Sequence, residues 1–139
     1  MERYAESWKI NDRVSFARSE GMGLGVFASC EISVGEKILT DPVRSFDGKD
    51  AQLLRKTAAY HLLFVDRTHY ALKNENSPLH LVVGAISMVN HCKYPNCTLQ
   101  WNIDPSECET CATLIAQKPI KLGEELFIEY HNIDEYEFD

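Results

Sequence analysis

Asn90-His91-Cys92-Lys93-Tyr94-Pro95-Asn96-Cys97 and, further on, Gly123-Glu124-Glu125-Leu126-Phe127-Ile128-Glu129-Tyr130 are the most distinctive stretches of the chain. The first has the form N-H-x-x-x-P-N-C and the second G-E-E-L-x-x-x-Y. A third stretch, Gly21-Met22-Gly23-Leu24-Gly25-Val26-Phe27-Ala28, lies near the N-terminus. Each has an ordinary explanation when taken alone. Glycine runs are common in turns because glycine reaches positive φ at no steric cost. Asn-His beside Pro-Asn suits a turn whose side chains bond the backbone. A tyrosine closing an apolar strand is usually a packed aromatic with a satisfied hydroxyl. The glycine run has no Gly-Lys-Ser/Thr after it, so it is not a Walker loop. It also lacks the G-x-G-x-x-G spacing and βαβ setting of a dinucleotide site.

Taken together and in this order, the three stretches resemble the signature motifs of the SET-domain protein lysine methyltransferases, with gaps like those of the family. The resemblance covers about residues 15–130. It implies the SET fold, in which small curved sheets are completed by a C-terminal pseudoknot that brings the Asn-His motif beside the terminal tyrosine. The chain is then one SET domain over residues 1–139, with a short N-terminal lead and an acidic, aromatic C-terminal tail. It looks like a minimal domain, without the cysteine cluster that many members carry after the final tyrosine.

Composition sets the bounds. The chain has 139 residues, 45% of them hydrophobic, which suits one compact domain with a core of ordinary size. No apolar run approaches the roughly 18 residues that span a bilayer, and the N-terminus does not read as a secretory signal. An intracellular protein is expected, in nucleus or cytoplasm, or in a host nucleus if a pathogen delivers it, with no membrane partner. The net charge is −7. Acidic residues crowd the C-terminal end, among them Glu124, Glu125, Glu129, Asp134, Glu135, Glu137 and Asp139. Phosphate contacts need a basic surface, so direct nucleic-acid binding is not expected. An acidic surface suits a basic peptide partner, or simply keeps the protein soluble.

Five cysteines occur, Cys30, Cys92, Cys97, Cys108 and Cys111. An odd count without a signal peptide argues against a disulfide framework. Cys108 and Cys111 have the spacing of half a zinc site, which Cys92 and Cys97 would complete. Reduced thiols are the alternative, and no metal is assigned.

Along the chain the pattern is mainly β with short helices. Residues 14–17 alternate like a strand, the glycine loop interrupts it and residues 26–28 resume it. Residues 32–36 read as a turn. Residues 37–40 read as a strand stopped by Asp41-Pro42, and 47–50 as a loop. A helix is expected over about 51–60, strands over 61–65 and 69–72, a loop over 74–78, and a second helical stretch over 79–89. Residues 98–103 and 112–117 read as a hairpin closed by a loop at 104–111, and 125–129 as the last strand.

The resemblance also implies the chemistry. S-adenosylmethionine would be the cofactor and a lysine of a basic protein segment, such as a histone tail or a non-histone protein, the acceptor. Tyr130 matches the catalytic tyrosine, next to the cofactor's methyl group. Asn90 and His91 match the residues that hold the methionine end of the cofactor. Met22, Gly23 and Leu24 match the loop that wraps it, largely through main-chain atoms. Pro95 and Asn96 would shape a turn. No Ser or Cys nucleophile is needed, in keeping with the lack of a G-x-S-x-G elbow.

Three departures stand out. Lys93, two residues after the Asn-His pair, is an unusual residue beside a cofactor pocket unless it faces solvent. Asp41-Pro42-Val43 stands where many members place a channel tyrosine, with Tyr60 and Tyr94 as substitutes. Ile128 stands where many members carry the Phe or Tyr that limits the methylation state. With no trailing cysteine cluster, Tyr136 and Phe138 of the tail, or a homodimer partner, would cover the channel. The alternatives are a non-catalytic SET-like binding module and a cysteine-anchored zinc module.

Overall fold

The computed structural model of the protein describes residues 7–46, 48–65, 79–102 and 110–129, together with the backbone alone of His61 and Val65. The expected strand at 69–72, the loop at 74–78, Cys108, Tyr130 and the aromatic tail lie outside these residues.

Among the described residues ten strands form three sheets, and there is one α-helix. The first sheet contains β1 (Trp8–Lys9), β2 (Val14–Ser19) and β3 (Gly23–Ala28), all antiparallel, with Phe16 opposite Val26. The second has five strands in the order β5-β6-β4-β9-β8. These are β4 (Lys37–Phe46), β5 (Phe64–Val65), β6 (Leu79–Val82), β8 (Cys97–Asn102) and β9 (Cys111–Ala116). The third pairs β7 (Asn90–His91) in parallel with β10 (Phe127–Ile128). The architecture is the expected one, small curved sheets with little helix. β9 shows why the sequence chooses strands. Ala112, Leu114 and Ala116 are buried while Cys111, Thr113 and Ile115 are partly exposed, and this period of two suits only an extended chain.

The segment from Gly123 to Ile128 passes between the first sheet and β7. On one side Ala28 N donates to the Glu124 carbonyl and Leu126 N to the Val26 carbonyl, each at 2.8 Å. On the other, Phe127 lies opposite Asn90 and Ile128 opposite His91, and Cys92 N donates to the Ile128 carbonyl at 2.9 Å. Leu126 and Ile128 enter a core shared with Val14, Val26, Ile86 and Val89. A C-terminal segment clamped from both sides is what the pseudoknot requires. A smaller cluster of Ala51, Tyr60, Leu63 and Leu79 lies beside the main core.

Several local expectations are corrected. The strand at 37–40 does not stop at Asp41-Pro42 but runs on to Phe46. Residues 37–42 pair with β9 and residues 43–46 with β6. Pro42 marks the change of partner, where its missing N–H costs least, and its carbonyl still accepts from Val83 N at 2.8 Å. The helix begins within the expected loop, with α1 at Gly48–Leu54, and a 3₁₀ turn at Ala58–Leu62 replaces its second half and the start of the next strand. The largest miss is 79–89, which is not one helical stretch. Leu79–Val82 form a strand between β4 and β5, and only Ala85–Met88 coil, as a 3₁₀ turn. Pairing on both sides overrides a weak local preference, and Gly84, at φ 154°, separates the two pieces. The last strand is shorter than expected, with an isolated bridge from Glu125 to Phe27 ahead of β10.

Gly84 also leaves room for Asp41, whose Oδ2 accepts from Ile86 N at 2.9 Å and so holds the turn leading into β7. A Cβ on Gly84 would lie 2.4 Å from Asp41 Cγ. Gly84→Ala is therefore expected to cost about 2 kcal/mol, from the unfavourable φ and the displaced carboxylate. Thermal unfolding followed by circular dichroism measures it.

Candidate functional site

The three sequence motifs meet at one carboxylate. The glycine stretch forms the β2–β3 turn, closed by Met22 N donating to the Ser19 carbonyl at 3.1 Å. Gly21 and Gly23 both have φ of 77°, a region that side chains disfavour. Gly25, further along β3, is needed for space instead. A Cβ there would fall 2.3 Å from Glu125 Oε2 and 3.0 Å from Asn90 Nδ2. Into that space Glu125 extends from the third motif. Its Oε1 accepts from Ser19 Oγ at 2.7 Å and its Oε2 from Asn90 Nδ2 at 2.9 Å. Asn90 Nδ2 also donates to the Leu24 carbonyl at 3.2 Å. Ser19 is 2% exposed while Asn90 and Glu125 are half-buried, so this junction is partly shielded from solvent.

Counting donors defines what Asn90 can offer. A side-chain amide has two hydrogens, both on Nδ2, and they go to Glu125 and Leu24. Two acceptors on that side also fix the amide's orientation. Oδ1 is the amide's remaining polar atom, and it can only accept a hydrogen bond.

Of the residues singled out from sequence, Met22, Gly23 and Leu24 lie on the turn, with Met22 47% exposed and its neighbours bordering an open cleft of about 490 Å³. Asn90 and His91 lie on β7, half-buried and paired with Phe127 and Ile128. The turn and β7 are thus brought together. Tyr130 lies outside the described residues, which end at Glu129 just after β10.

The departures are also placed. Lys93 is exposed, and its ammonium sits 5.9 Å from the centre of the Tyr94 ring, itself 74% exposed. Lys93 therefore does not wall a pocket. Tyr60 is buried among Ala51, Leu63 and Leu79. Ile128 is 2% exposed and belongs to the main core.

Sequence reasoning missed Glu125 as the partner of Asn90, and Ser19 as the partner of Glu125. It also underread Asn96, which does more than shape a turn. Asn96 Nδ2 donates to the Glu125 carbonyl at 2.9 Å, and Asn96 Oδ1 accepts from Phe127 N at 2.8 Å. One side chain thus stands in for a strand beside β10. Trp8 was missed as well. It lines the cleft with Arg18, Glu20 and the glycine turn.

Cys97 and Cys111 do not come together, and Cys108 lies outside the described residues. Cys97 lies opposite Ala116 and Cys111 opposite Asn102, five positions apart along the hairpin or about 17 Å. That is too far to share one zinc ion. Among the described residues no cluster of His, Cys, Asp and Glu could hold a metal. Burial raises the Cys97 thiol from 9.0 to about 12. With the folded value raised, the stabilisation is full below about pH 9 and is lost as pH climbs toward 12. Urea midpoints should fall over that range in the wild type and fall less in Cys97→Ala.

The comparisons with known proteins agree with this geometry. The SET domain profile matches residues 23–131. Among solved structures, a Plasmodium falciparum chain assigned as a histone methyltransferase superposes with a TM-score of 0.64 at 20% identity, covering 87% of this chain and 95% of that one. The Neurospora SET domain protein DIM-5, a histone lysine methyltransferase, gives 0.62 at 22% identity over 86% of this chain and 52% of its own. A humanized mutant of the Chaetomium thermophilum Polycomb Repressive Complex 2 gives 0.61 at 22% identity over 86% and 15%. No curated protein sequence matches significantly. At these identities the structures speak for the fold, and the profile, spanning most of the sequence, decides the family: the chain belongs to the SET domain family.

Proposed function

We propose that the chain is an S-adenosylmethionine-dependent methyltransferase acting on lysine side chains of a basic protein segment, with a histone tail as one such segment. The observation that carries this reading is the junction itself. The glycine turn, Asn90 and the strand leading to Tyr130 are joined at one point by the Ser19–Glu125–Asn90 hydrogen bonds.

The residues present fit the cofactor. Main-chain groups of Met22, Gly23 and Leu24 would hold it, and the space beside Gly23 is open, with nothing within 4 Å of an added Cβ. Asn90 Oδ1 would accept from the ammonium of its amino-acid end, with His91 alongside. When bound, S-adenosylmethionine supplies a methyl group on a sulfonium, ready for displacement. The remaining work belongs to the chain. A lysine ammonium has a pKa of about 10.4 and must lose its proton before attack. Apolar walls favour the neutral amine by withholding water. Tyr130 would orient that amine through its hydroxyl; a phenol of pKa about 10 makes a poor general base, so alignment is its main role. The net charge of −7 draws a basic substrate toward the domain.

A non-catalytic binding module loses one of its two supports, because Lys93 lies at the surface. The other, Asp41-Pro42 in place of a channel tyrosine, stands. Mass spectrometry of core histones and lysine peptides incubated with protein and S-adenosylmethionine decides between them. Lysine methylation is expected; cofactor binding without any methylated product would favour the module.

A further inference from the structure

We infer that Glu125 is a positioning residue for the cofactor site, setting which end of the Asn90 amide faces the ligand. This inference deepens the proposed function and rests on it.

An asparagine amide can turn over, exchanging Oδ1 for Nδ2 at little steric cost. In isolation Asn90 would offer a ligand either a donor or an acceptor. The structure removes that choice. Glu125 Oε2 lies 2.9 Å from Nδ2 and the Leu24 carbonyl 3.2 Å from it. An ionised carboxylate and a carbonyl are both pure acceptors. Turning the amide over would set three acceptors against one another in a partly shielded site, where unpaired polar groups are costly. The carboxylate's bond is the shorter of the two and is charge-assisted, so it is the stronger restraint.

Glu125 is itself held. Its other oxygen accepts from Ser19 at 2.7 Å. Its carbonyl accepts from Asn96 Nδ2, and its backbone bridges Phe27. Gly25 leaves the space its carboxylate occupies. The carboxylate is therefore fixed by Ser19 and Asn90 and the backbone behind it by Asn96 and Phe27, and its effect on a ligand passes through Asn90. Because the backbone anchors do not involve the carboxylate, truncating the side chain should leave β10 in place.

The test is calorimetric titration with S-adenosylmethionine of the wild type, Glu125→Ala, Glu125→Gln, Asn90→Ala and the double variant Glu125→Ala/Asn90→Ala. Glu125→Ala is expected to weaken binding about tenfold. Glu125→Gln should recover most of the loss, because its carbonyl can accept from Asn90 while its amide donates to Ser19 Oγ. The double variant should bind no more weakly than Asn90→Ala alone, since a residue acting through Asn90 has nothing left to act on. A second readout needs no cofactor: the Asn90 side-chain amide resonances, identified by their loss in Asn90→Ala, should show slow hydrogen exchange in the wild type and faster exchange in Glu125→Ala. Unchanged affinity in Glu125→Ala, additive losses in the double variant, or no recovery in Glu125→Gln overturns the inference. If Glu125→Ala does not fold, Ser19→Ala decides: a loss of about threefold, absent in the Asn90→Ala background, is expected, and no loss overturns it. A wild type that binds no S-adenosylmethionine overturns the proposed function and this inference together. A wild type that binds, with Asn90→Ala losing affinity and Glu125→Ala not, overturns this inference alone.

Discussion

Gly25→Ala is expected to weaken S-adenosylmethionine binding on the order of 30-fold and to lower the unfolding temperature by several degrees. The added Cβ would stand 2.3 Å from Glu125 Oε2 and 3.0 Å from Asn90 Nδ2, so it crowds the Asn90 amide directly as well as displacing the carboxylate, and its effect exceeds that of Glu125→Ala. The backbone cannot retreat, because Gly25 pairs with Ala17 on β2 and the neighbouring Val26 carbonyl holds Leu126 N. The carboxylate must move instead, which breaks its bonds to Ser19 and Asn90. Ser19 is 2% exposed, so water cannot easily replace its lost partner. Leaving such a buried group unpaired costs about 1–3 kcal/mol, and crowding a packed site adds a similar amount. Scanning fluorimetry and calorimetry read the two effects. A variant with wild-type affinity would show that the Glu125–Asn90 contact does not bear on the cofactor.

The second large effect belongs to Tyr130→Phe. Turnover on a lysine peptide is expected to fall at least about 100-fold, with cofactor affinity within about threefold of wild type. The substitution removes one hydroxyl and leaves the ring, so packing should survive. A group that acts on the reacting amine and not on cofactor binding lowers kcat alone. The role of Tyr130 comes from its place in the G-E-E-L-x-x-x-Y motif. The structure adds that the chain reaches it from β10, held parallel to the Asn90–His91 strand. Undiminished turnover would remove Tyr130 from the catalytic role.

Much of this was legible in the sequence because the motifs are local and chemically distinctive. The glycine turn, Asn90, His91 and the apolar strand before Tyr130 could be named only as a set, through their joint resemblance to the family's motifs. The alternating hairpin of β8 and β9 was legible on its own: its period of two is written in Cys111-Ala112-Thr113-Leu114-Ile115-Ala116. What failed depended on partners far away in the chain. Leu79–Val82 carry no clear strand period, and only β4 and β5 on either side make them a strand. Asp41-Pro42 look like a stop, yet β4 continues because another strand takes over the pairing there. The same limit applied to the site. Glu125 sits 106 residues from Ser19 and 35 from Asn90, so its bonds have no local signature. Cys108 and Cys111 have suggestive spacing, but the hairpin register keeps Cys111 far from Cys97, which a four-cysteine site would need beside it.

The most direct test of the central claim is calorimetric titration of S-adenosylmethionine into the purified wild-type protein and into Asn90→Ala. Saturable binding to the wild type is expected, with a dissociation constant on the order of micromolar. Asn90→Ala, which removes the acceptor Oδ1, should weaken it at least about 30-fold. No heat of binding to the wild type, or equal affinity in the variant, would contradict the cofactor site and the methyltransferase reading built on it.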